Sequence, residues 1–292
     1  MKTCAKTRRI VPLILALLLL FGGCSAINRA AVFDTNGNET TRRQDVLTVE
    51  FLDVGQANAA LLTCGGKSLL IDGGNVADGA KVTRAVQAAT DRLDYVVNTH
   101  GHEDHVGGLA AVVDAVPVGQ AIVSPVTADS EYYRDFVDAL ADRGVTPVAG
   151  QAGMQFSLGD AKCTLLGPTA AGSDLNNSSL VLQVRFGGVT FLFMGDAGAE
   201  EERSLIQSGA DVSCDVLAVG HHGSDSATGY VFLRQALPKY AVISVGAGNR
   251  YGHPAESTLS RLRDAGCTVY RTDQSGTITV VTDKNGKIRF SA

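Results

Sequence analysis

The sequence is poor in cysteine and in histidine, with six of each in 292 residues. The four cysteines after residue 24 are Cys64, Cys163, Cys214 and Cys267. They are widely spaced and lie on or beside apolar, strand-like runs. No pair of them has the spacing of a zinc finger. Buried free thiols are therefore a better interpretation than a disulfide framework, even for a protein outside the cell.

Positive charge is also scarce. Four of the 25 Lys and Arg residues lie in the first 23 residues, which leaves 21 against 30 Asp and Glu, a net charge of −9. Such a chain does not collect nucleic acid by bulk charge. From His221 onward, however, nine basic and five acidic residues give a charge of +4. A polyanion could meet a locally basic face there, although exposed charge runs are more often simply solvated.

The first 23 residues have the pattern of a signal peptide. Four basic residues precede an apolar run at 10–21, and two glycines follow it before Cys24. The apolar run is short for a membrane span. The ending Leu-Phe-Gly-Gly-Cys resembles the lipobox of bacterial lipoproteins, in which the cysteine is lipidated. Because Phe21 departs from the usual small residue, ordinary cleavage stays open. Either way we expect an exported protein, and with a lipid on Cys24 one anchored to the outer face of the cell membrane.

The rest of the chain divides into a linker and a folded body. Residues 24–46 are polar with little apolar periodicity and are interpreted as a tether. Residues 47–292 are long enough for one large α/β domain. β-type runs, for example at 46–54 and 268–271, alternate with amphipathic helical stretches such as 106–115 and 230–236. The two halves are predicted to form two sheets, each covered by helices.

All six histidines fall in three short clusters. His100, His102 and His105 follow an apolar run within Thr-His-Gly-His-Glu-Asp-His, His221 and His222 are adjacent, and His253 precedes a proline. Three imidazoles and a carboxylate within six residues are difficult to bury for a structural purpose, whereas a divalent metal satisfies several of them at once. The first cluster therefore predicts a metal site.

Other polar groups follow predicted strands in glycine-rich loops. Asp72 and Asp196 lie beside glycines at two strand ends, and Gly-His-His-Gly-Ser at 220–224 follows a third. Asp-Gly pairs are often mere turns. Asp72 and Asp196 lie at strand ends in the same way as the histidines. This shared placement favours a functional role for both aspartates, because rigid strands position catalytic loops in α/β folds.

These residues resemble the metallo-β-lactamase superfamily, whose signature is His-X-His-X-Asp-His followed by an Asp at a strand end and a further His. More narrowly, the segments at 51–56, 70–74, 193–196, 219–224 and 249–254 resemble the hydrolase domain of ComEC-type competence proteins. The resemblance covers residues 47–282, and the chain is similar to the stand-alone, secreted version of that domain. It implies a four-layer αββα sandwich with a metal site at one edge of the two sheets.

The resemblance also implies a ligand set for two divalent ions. His100 and His102 would hold the first ion, Asp104 and His105 the second, and Asp196 would bridge both. The remaining ligand is open. His221 would complete the second site, with His222 as the alternative ligand or a substrate contact.

Asp72 has two interpretations of equal weight. In one it accepts a hydrogen bond from a ligand imidazole and fixes its tautomer. In the other it caps the turn.

One departure from the wider superfamily concerns the first ion. Many members supply a third His from a loop before the Asp196 strand, and residues 173–179 hold none. ComEC-like proteins also carry Asn and Ser there. The first ion would keep open positions and bind weakly. A nitrogen and oxygen shell without thiolate suits zinc or manganese, and the sequence does not choose between them.

Hydrolysis would use a metal-activated water, with Asp104 or His253 moving a proton. Candidate donors to substrate oxygens are Asn177, Ser178, Ser224, Asn249 and Tyr251. For Tyr251 and His253 a structural turn before Pro254 is the alternative. The leading hypothesis is a phosphodiesterase or nuclease acting on DNA or another extracellular polyanion. The alternatives are a lactonase, β-lactamase or thioester hydrolase, and a surface lipoprotein that binds metal or DNA without turnover.

Overall fold

The computed structural model describes residues 46–170 and 172–292. The predicted signal peptide at 1–23, Cys24 and the linker up to residue 45 lie outside these residues. The described strands are β1 Val46–Phe51, β2 Ala60–Cys64, β3 Lys67–Ile71, β4 Leu93–Asn98, β5 Val118–Val123, β6 Val148–Ala149, β7 Gln155–Leu158, β8 Ala161–Gly167, β9 Val181–Phe186, β10 Val189–Phe193, β11 Val216–Ala218, β12 Tyr240–Ile243, β13 Thr268–Arg271, β14 Ile278–Asp283 and β15 Ile288–Ser291.

The helices lie between these strands. They are α1 Gly79–Ala89, α2 Glu103–Val106, α3 Leu109–Ala115, α4 Glu131–Asp142, α5 Ala199–Gln207, α6 Tyr230–Ala236, α7 Glu256–Asp264 and α8 Thr272–Ser275. Short 3-10 turns cover Val76–Asp78, Asn176–Ser178 and Gly220–Gly223. None of the helices in the described ranges is long and apolar enough to cross a membrane.

The strands form two sheets of similar construction. Within the described residues the first has the order β15-β14-β1-β2-β3-β4-β5-β6, and the second β13-β12-β11-β10-β9-β8-β7. In each, antiparallel hairpins lead into parallel strands, β3 to β6 in one and β10 to β13 in the other. Parallel strands end at the same edge of a sheet, where loops can converge on one site.

The division into halves predicted from the sequence is wrong in one respect. The last two strands return to the first sheet, where β14 pairs with β1 and places Phe51 opposite Ile278. This pairing joins the two ends of the domain. It leaves no local signal, because both strands show the same β-type alternation as their neighbours.

The buried apolar residues form three layers. One lies between the two sheets, and each of the other two lies between a sheet and the helices that cover it. Between the sheets, Phe51 stacks on Phe193 with ring centroids 5.8 Å apart. Burying each such side chain contributes about 1.5–3 kcal/mol to folding. Helices α1, α3 and α4 cover the outer face of the first sheet, and α5, α6 and α7 that of the second. The order of layers is αββα, as predicted.

Helix α4 shows how local sequence produces these outer layers. The Ser130 hydroxyl accepts a hydrogen bond from the Tyr133 backbone N–H and caps the first turn. Tyr133, Phe136 and Leu140 lie on one face at helical spacing and are buried against the first sheet. The helix therefore forms where the cap and the apolar stripe coincide.

The predicted helix at 106–115 is two helices. Glu103–Val106 is a single turn, and Leu109–Ala115 starts after Gly107 and Gly108. A Cβ on Gly108 would overlap the Gly73 carbonyl. This close approach lets the loop after β3 contact the start of α3, and it interrupts the helix immediately after the histidine motif. Part of that motif is therefore helical and not loop.

The cysteines and the shorter strands complete the comparison. The four thiols of the described residues are free, with Cys64, Cys163 and Cys214 buried and Cys267 half-buried. Strands β5, β6, β7 and β15 were not predicted. Their periodic runs are short. Within the described residues β6, β7 and β15 are edge strands, and β5 lies next to an edge.

Candidate metal centre

The histidines and aspartates meet at the carboxyl ends of four strands. Asp72 follows β3, His100 follows β4, Asp196 follows β10, and His221 with His222 follows β11. Two of these strands belong to each sheet. The site therefore lies at one edge of the sandwich, where both sheets contribute loops.

Asp72 contacts the imidazole of His105 on the Nδ1 side of the ring. Its Nδ1 lies 2.7 Å from Asp72 Oδ2, which also accepts a hydrogen bond from the Thr99 hydroxyl at 2.7 Å. The other oxygen of Asp72 accepts from the Thr99 backbone N–H at 2.8 Å. Asp72 itself has a left-handed backbone with φ 57°, which Asp tolerates better than most residues. These contacts direct His105 Nε2 away from Asp72 and towards Asp196.

His100 and His102 present their ring nitrogens to one another. His100 Nε2 lies 3.0 Å from His102 Nδ1. The opposite nitrogen of His100 is 3.2 Å from the Thr99 hydroxyl and 3.3 Å from the Ser179 hydroxyl. Two nitrogens bound to one tetrahedral zinc at 2.0–2.1 Å would be about 3.3 Å apart. The separation of the two imidazoles is therefore close to what a shared ion requires.

Asp196 lies between the two groups of histidines and directs one oxygen to each. Its Oδ1 is 3.1 Å from His105 Nε2 and 3.7 Å from His222 Nε2. Its Oδ2 is 3.9 Å from His100 Nε2 and 3.7 Å from His221 Nε2. Its backbone N–H donates to the Ser179 hydroxyl at 3.1 Å.

His221 and His222 diverge because both have left-handed backbones, with φ of 50° and 52°. The buried His222 has Nδ1 2.9 Å from the Ser244 carbonyl and Nε2 3.2 Å from Asp104 Oδ2. His221 is partly exposed, and its Nδ1 lies 3.2 Å from the Ser226 hydroxyl. His222, which the sequence leaves open as the alternative to His221, therefore joins Asp104 and His105 in one group.

Burial and charge shift the pKa values in opposite directions within this site. Burial, helped by the positive charge of His105, holds the pKa of His100 well below its ordinary value. For His105 burial acts the same way, but the carboxylates of Asp196 and Asp72 outweigh it and raise the pKa well above 6.5.

The histidines lower the pKa values of the two carboxyl groups of the site. Burial by itself raises the pKa of Asp104, yet the hydrogen bond with His222 and the charge of His105 lower it to about 2. The pKa of Asp196 is likewise held well below its ordinary value, because His105 and His222 outweigh burial. Both carboxylates are therefore ionised at neutral pH.

The residues fit divalent metal ions. His105 Nε2 and Asp196 Oδ1 are buried and lie 3.1 Å apart without hydrogen-bond geometry, so each lacks a hydrogen-bond partner among the described residues. Buried polar atoms without partners are costly in proteins. The described residues also form two groups whose ligand atoms lie within 4.8 Å of one another, His100 with His105 and Asp196, and Asp104 with His105 and His222. Nitrogen and carboxylate donors of this kind bind zinc or manganese.

The predicted donors to substrate are mostly used inside their own loops. Asn177 Nδ2 donates to the Asp174 carboxylate at 3.2 Å within its own loop, and Asn177 Oδ1 accepts from the Gly198 N–H of a neighbouring loop at 3.1 Å. The Ser178 hydroxyl donates to the Asp174 carbonyl at 2.8 Å and accepts from Gly172. The Ser224 hydroxyl is 2.9 Å from that of Ser226. These three side chains position the loops around the histidines.

Two further predicted residues lie beside the cluster. The ring of His253 is 5.7 Å from that of His221, and its buried Nδ1 has no hydrogen-bond partner within residues 46–170 and 172–292. Tyr251 is exposed and stacks on His253 at 5.7 Å. Thr99 and Ser179 were missed, although both are adjacent to residues that the sequence singles out. Their hydroxyls show no periodicity or spacing signal.

Comparisons with known proteins agree with this architecture. The chain is 34% identical over 188 residues to ComE operon protein 3 of Bacillus subtilis, covering 64% of this chain and 24% of that protein. It is 33% identical over 230 residues to competence protein ComA of Neisseria gonorrhoeae, covering 77% of this chain and 31% of that protein. The chain thus spans about a quarter to a third of the length of these relatives.

A solved structure shows the same fold. The metallo-β-lactamase fold protein YhfI from Bacillus subtilis superposes with a TM-score of 0.56 at 13% identity, covering 85% of this chain and all of that one. The family model of the metallo-β-lactamase superfamily matches residues 52–247. With two ligand groups that share His105, these matches show that the chain belongs to the metallo-β-lactamase superfamily, as a hydrolase-fold relative of ComEC-type competence proteins.

Proposed function

We propose that this chain is an exported, metal-dependent phosphodiesterase that acts on DNA or another extracellular polyanion. The observation that carries the proposal is the position of Asp196, which directs one carboxylate oxygen to each of two histidine groups. A site of two ions suits in-line displacement at phosphorus, because both the attacking and the leaving oxygen require charge stabilisation. The similarity to competence proteins supports a nucleic acid as the polyanion.

The ligands divide between the two carboxylate oxygens of Asp196. On the Oδ2 side, His100, His102 and His221 would hold one ion, so that His221 takes the place of the histidine missing from 173–179. On the Oδ1 side, Asp104, His105 and His222 would hold the other. Bound zinc or manganese would lower the pKa of a coordinated water from about 16 towards 7 and polarise the scissile bond.

The remaining residues position these ligands or handle protons. Asp72 and Ser179 orient His105 and His100 through hydrogen bonds of 2.7 and 3.3 Å. Asp104 keeps 28% of its side chain exposed and lines an open cleft. Asp104, which is ionised, and His253 are the groups that we propose to accept the proton of the attacking water.

The test uses purified protein freed of metal and then supplied with Mn²⁺ or Zn²⁺. Substrates are bis-p-nitrophenyl phosphate, single-stranded DNA and a chromogenic β-lactam. We expect hydrolysis of both phosphodiesters, a loss of at least about 100-fold in Asp196→Asn, and little change in the control Asp129→Asn, whose side chain is almost fully exposed.

Other outcomes distinguish the alternatives. Cleavage of the β-lactam without cleavage of either phosphodiester would support a lactamase or lactonase. DNA binding without turnover under either metal would support a metal-binding or DNA-binding surface protein. Either result would contradict the proposed phosphodiesterase.

We also propose that residues 1–23 direct export and that Cys24 carries a lipid anchor. The support is the sequence of this segment, with its basic start, apolar run and glycine pair before the cysteine.

A further inference from the structure

An open cleft of about 420 Å³ lies beside the metal centre. Asp104 connects the two, because it lines the cleft and also contacts His222. The other walls come from Gln56, Asn75 and Glu103 and from the loop at 249–251. A group attached to the reacting phosphate would extend into this space.

The loop at 249–253 is held by the side chain of Asn249. Its Oδ1 accepts from the backbone N–H groups of Tyr251 and His253 at 3.1 and 3.0 Å. Its Nδ2 donates to the carbonyls of Gly246 and His253 at 2.9 and 2.6 Å. The amide is therefore occupied within the loop, and Asn249 is a positioning residue instead of the substrate donor that the sequence predicts.

This arrangement leaves Tyr251 exposed but fixed. Tyr251 is 55% exposed, and its ring stacks on that of His253 at an interplanar angle of 26°. The exposed Arg250 guanidinium lies over the ring, 5.0 Å from its centroid, and donates to the Tyr251 hydroxyl at 2.8 Å. A base that stacks on the ring would take the place of this guanidinium, which would then turn towards the phosphate. A large ring held in place at a cleft loses little further entropy when a ligand stacks on it.

The position of Arg250 favours a phosphate at this loop over one at the acidic side of the cleft. Arg250 is the one cation among the described residues that line the cleft, and Glu103 and Asp104 lie in another segment of its wall. A guanidinium next to an exposed aromatic ring is the combination that single-stranded nucleic acid sites use, with the ring against a base and the cation on the backbone.

We propose that Tyr251 is the stacking platform for the nucleobase next to the scissile phosphodiester, with Arg250 contacting the adjoining phosphate. This proposal rests on the phosphodiesterase function proposed above and names its substrate class as single-stranded nucleic acid. It assigns Tyr251 to recognition of the base face, so no particular base is selected.

The kinetic test compares two esters that share a leaving group. Thymidine 5′-(p-nitrophenyl phosphate) carries a base, and methyl p-nitrophenyl phosphate does not. We expect Tyr251→Ala to lower kcat/KM for the thymidine ester by about 5- to 100-fold and to change that for the methyl ester less than twofold. Tyr251→Phe should keep most of the activity. The matched control is Tyr230→Ala, which removes a tyrosine that is 53% exposed on α6.

A binding measurement provides a readout that does not depend on turnover. Because the chain contains no tryptophan, Tyr251→Trp introduces a single reporter. Oligothymidylate should quench its fluorescence, whereas an abasic oligonucleotide of the same length should quench it much less. Arg250→Ala should weaken binding of both oligonucleotides and reduce the dependence of the affinity on salt.

The results separate this proposal from the one on which it rests. Equal losses on the two esters in Tyr251→Ala, or equal quenching by the two oligonucleotides, would overturn the stacking role while phosphodiesterase activity remained. If the unmodified protein hydrolyses neither ester, the proposed function fails, and the tryptophan titration still decides whether a base binds at position 251.

Discussion

His105 Nδ1 and Asp72 Oδ2 lie 2.7 Å apart in a part of the structure that is closed to solvent. The contact fixes which nitrogen of the imidazole faces Asp196. It also connects the end of β3 to the histidine motif after β4, since the Gly73 N–H donates to the His105 carbonyl at 2.7 Å. One aspartate therefore orients both a ligand and the loop that carries it.

Replacing Asp72 with Asn should weaken metal binding without unfolding the domain. Asn tolerates the left-handed backbone at this position, but it has only one accepting oxygen. Its Nδ2 would face either the Thr99 backbone N–H or the side chains of His105 and Thr99, where Asp72 accepts hydrogen bonds. We expect metal affinity, measured by competition with a chromogenic chelator, to fall by about 10- to 100-fold. The control is Asp53→Asn. Asp53 follows β1, has a partly exposed side chain and is in neither ligand group. An unchanged affinity in Asp72→Asn would mean that the aspartate only caps the turn.

The two adjacent histidines should differ in their effect on metal content. Because His222 lies with Asp104 and His105, His222→Ala should remove the ion on the Oδ1 side and leave the ion held by His100 and His102. His221→Ala should lower occupancy on the Oδ2 side. Inductively coupled plasma mass spectrometry on dialysed protein measures the number of ions per chain. Loss of the same ion in both variants, judged from cobalt absorption spectra, would contradict this division.

A buried glutamate away from the metal centre should make stability depend on pH. The Glu201 carboxylate accepts a hydrogen bond from the Thr169 N–H at 3.0 Å. Burial, with the charge of Glu200, raises its pKa from 4.5 to about 7, although the Thr169 bond opposes the shift. The folded state therefore binds more protons than the unfolded state between these pH values. Its free energy of unfolding should fall by up to roughly 3 kcal/mol as pH rises from about 4.5 to 7.

Glu201→Gln isolates this contribution. The amide oxygen can still accept from Thr169, and the side chain cannot ionise. In urea unfolding followed by circular dichroism, the variant should match the unmodified protein at pH 5 and exceed its stability at pH 8. Glu131→Gln, an exposed change in the first turn of α4, should leave the pH dependence as it was. Parallel pH profiles for Glu201→Gln and the unmodified protein would refute the assignment.

The proposed lipid anchor can be tested at a single cysteine. In bacterial cells fed labelled palmitate, the unmodified chain should incorporate label and sediment with the membrane fraction. Cys24→Ser should abolish the label, and Cys4→Ser should not, because Cys4 precedes the apolar run. Unlabelled protein recovered from the culture medium would instead indicate ordinary cleavage and secretion.

Strong local patterns in the sequence predicted much of the fold. The predicted helix at 230–236 and strand at 268–271 have the bounds of α6 and β13, because each combines clear periodicity with glycine or proline near its ends. The αββα layers followed from the resemblance to the superfamily. The pairing of β14 with β1 could not be read from the sequence, since alternation identifies a strand but not its neighbour.

The sequence predicted which residue types form the metal centre, but not how each side chain is placed within it. The histidine motif identified the metal centre, because few other arrangements satisfy three close imidazoles. The division between His221 and His222 depends on two successive left-handed residues, which bulky side chains rarely adopt and no periodicity announces. The loop contacts of Asn177 and Asn249 could not be predicted either, since an amide that binds substrate and one that holds a loop have the same sequence.

The pairing of β14 with β1 has a consequence for the order of folding. Val46 lies opposite Asp283, so a strand made first must wait for one made 237 residues later. Until then one edge of β1 exposes unpaired backbone groups to any neighbouring chain. Contacts so distant in sequence slow folding. The chain between them must lose conformational entropy before the hydrogen bonds and packing of the paired strands can compensate for that loss. The nascent chain therefore has a long interval in which aggregation competes with completion of the first sheet.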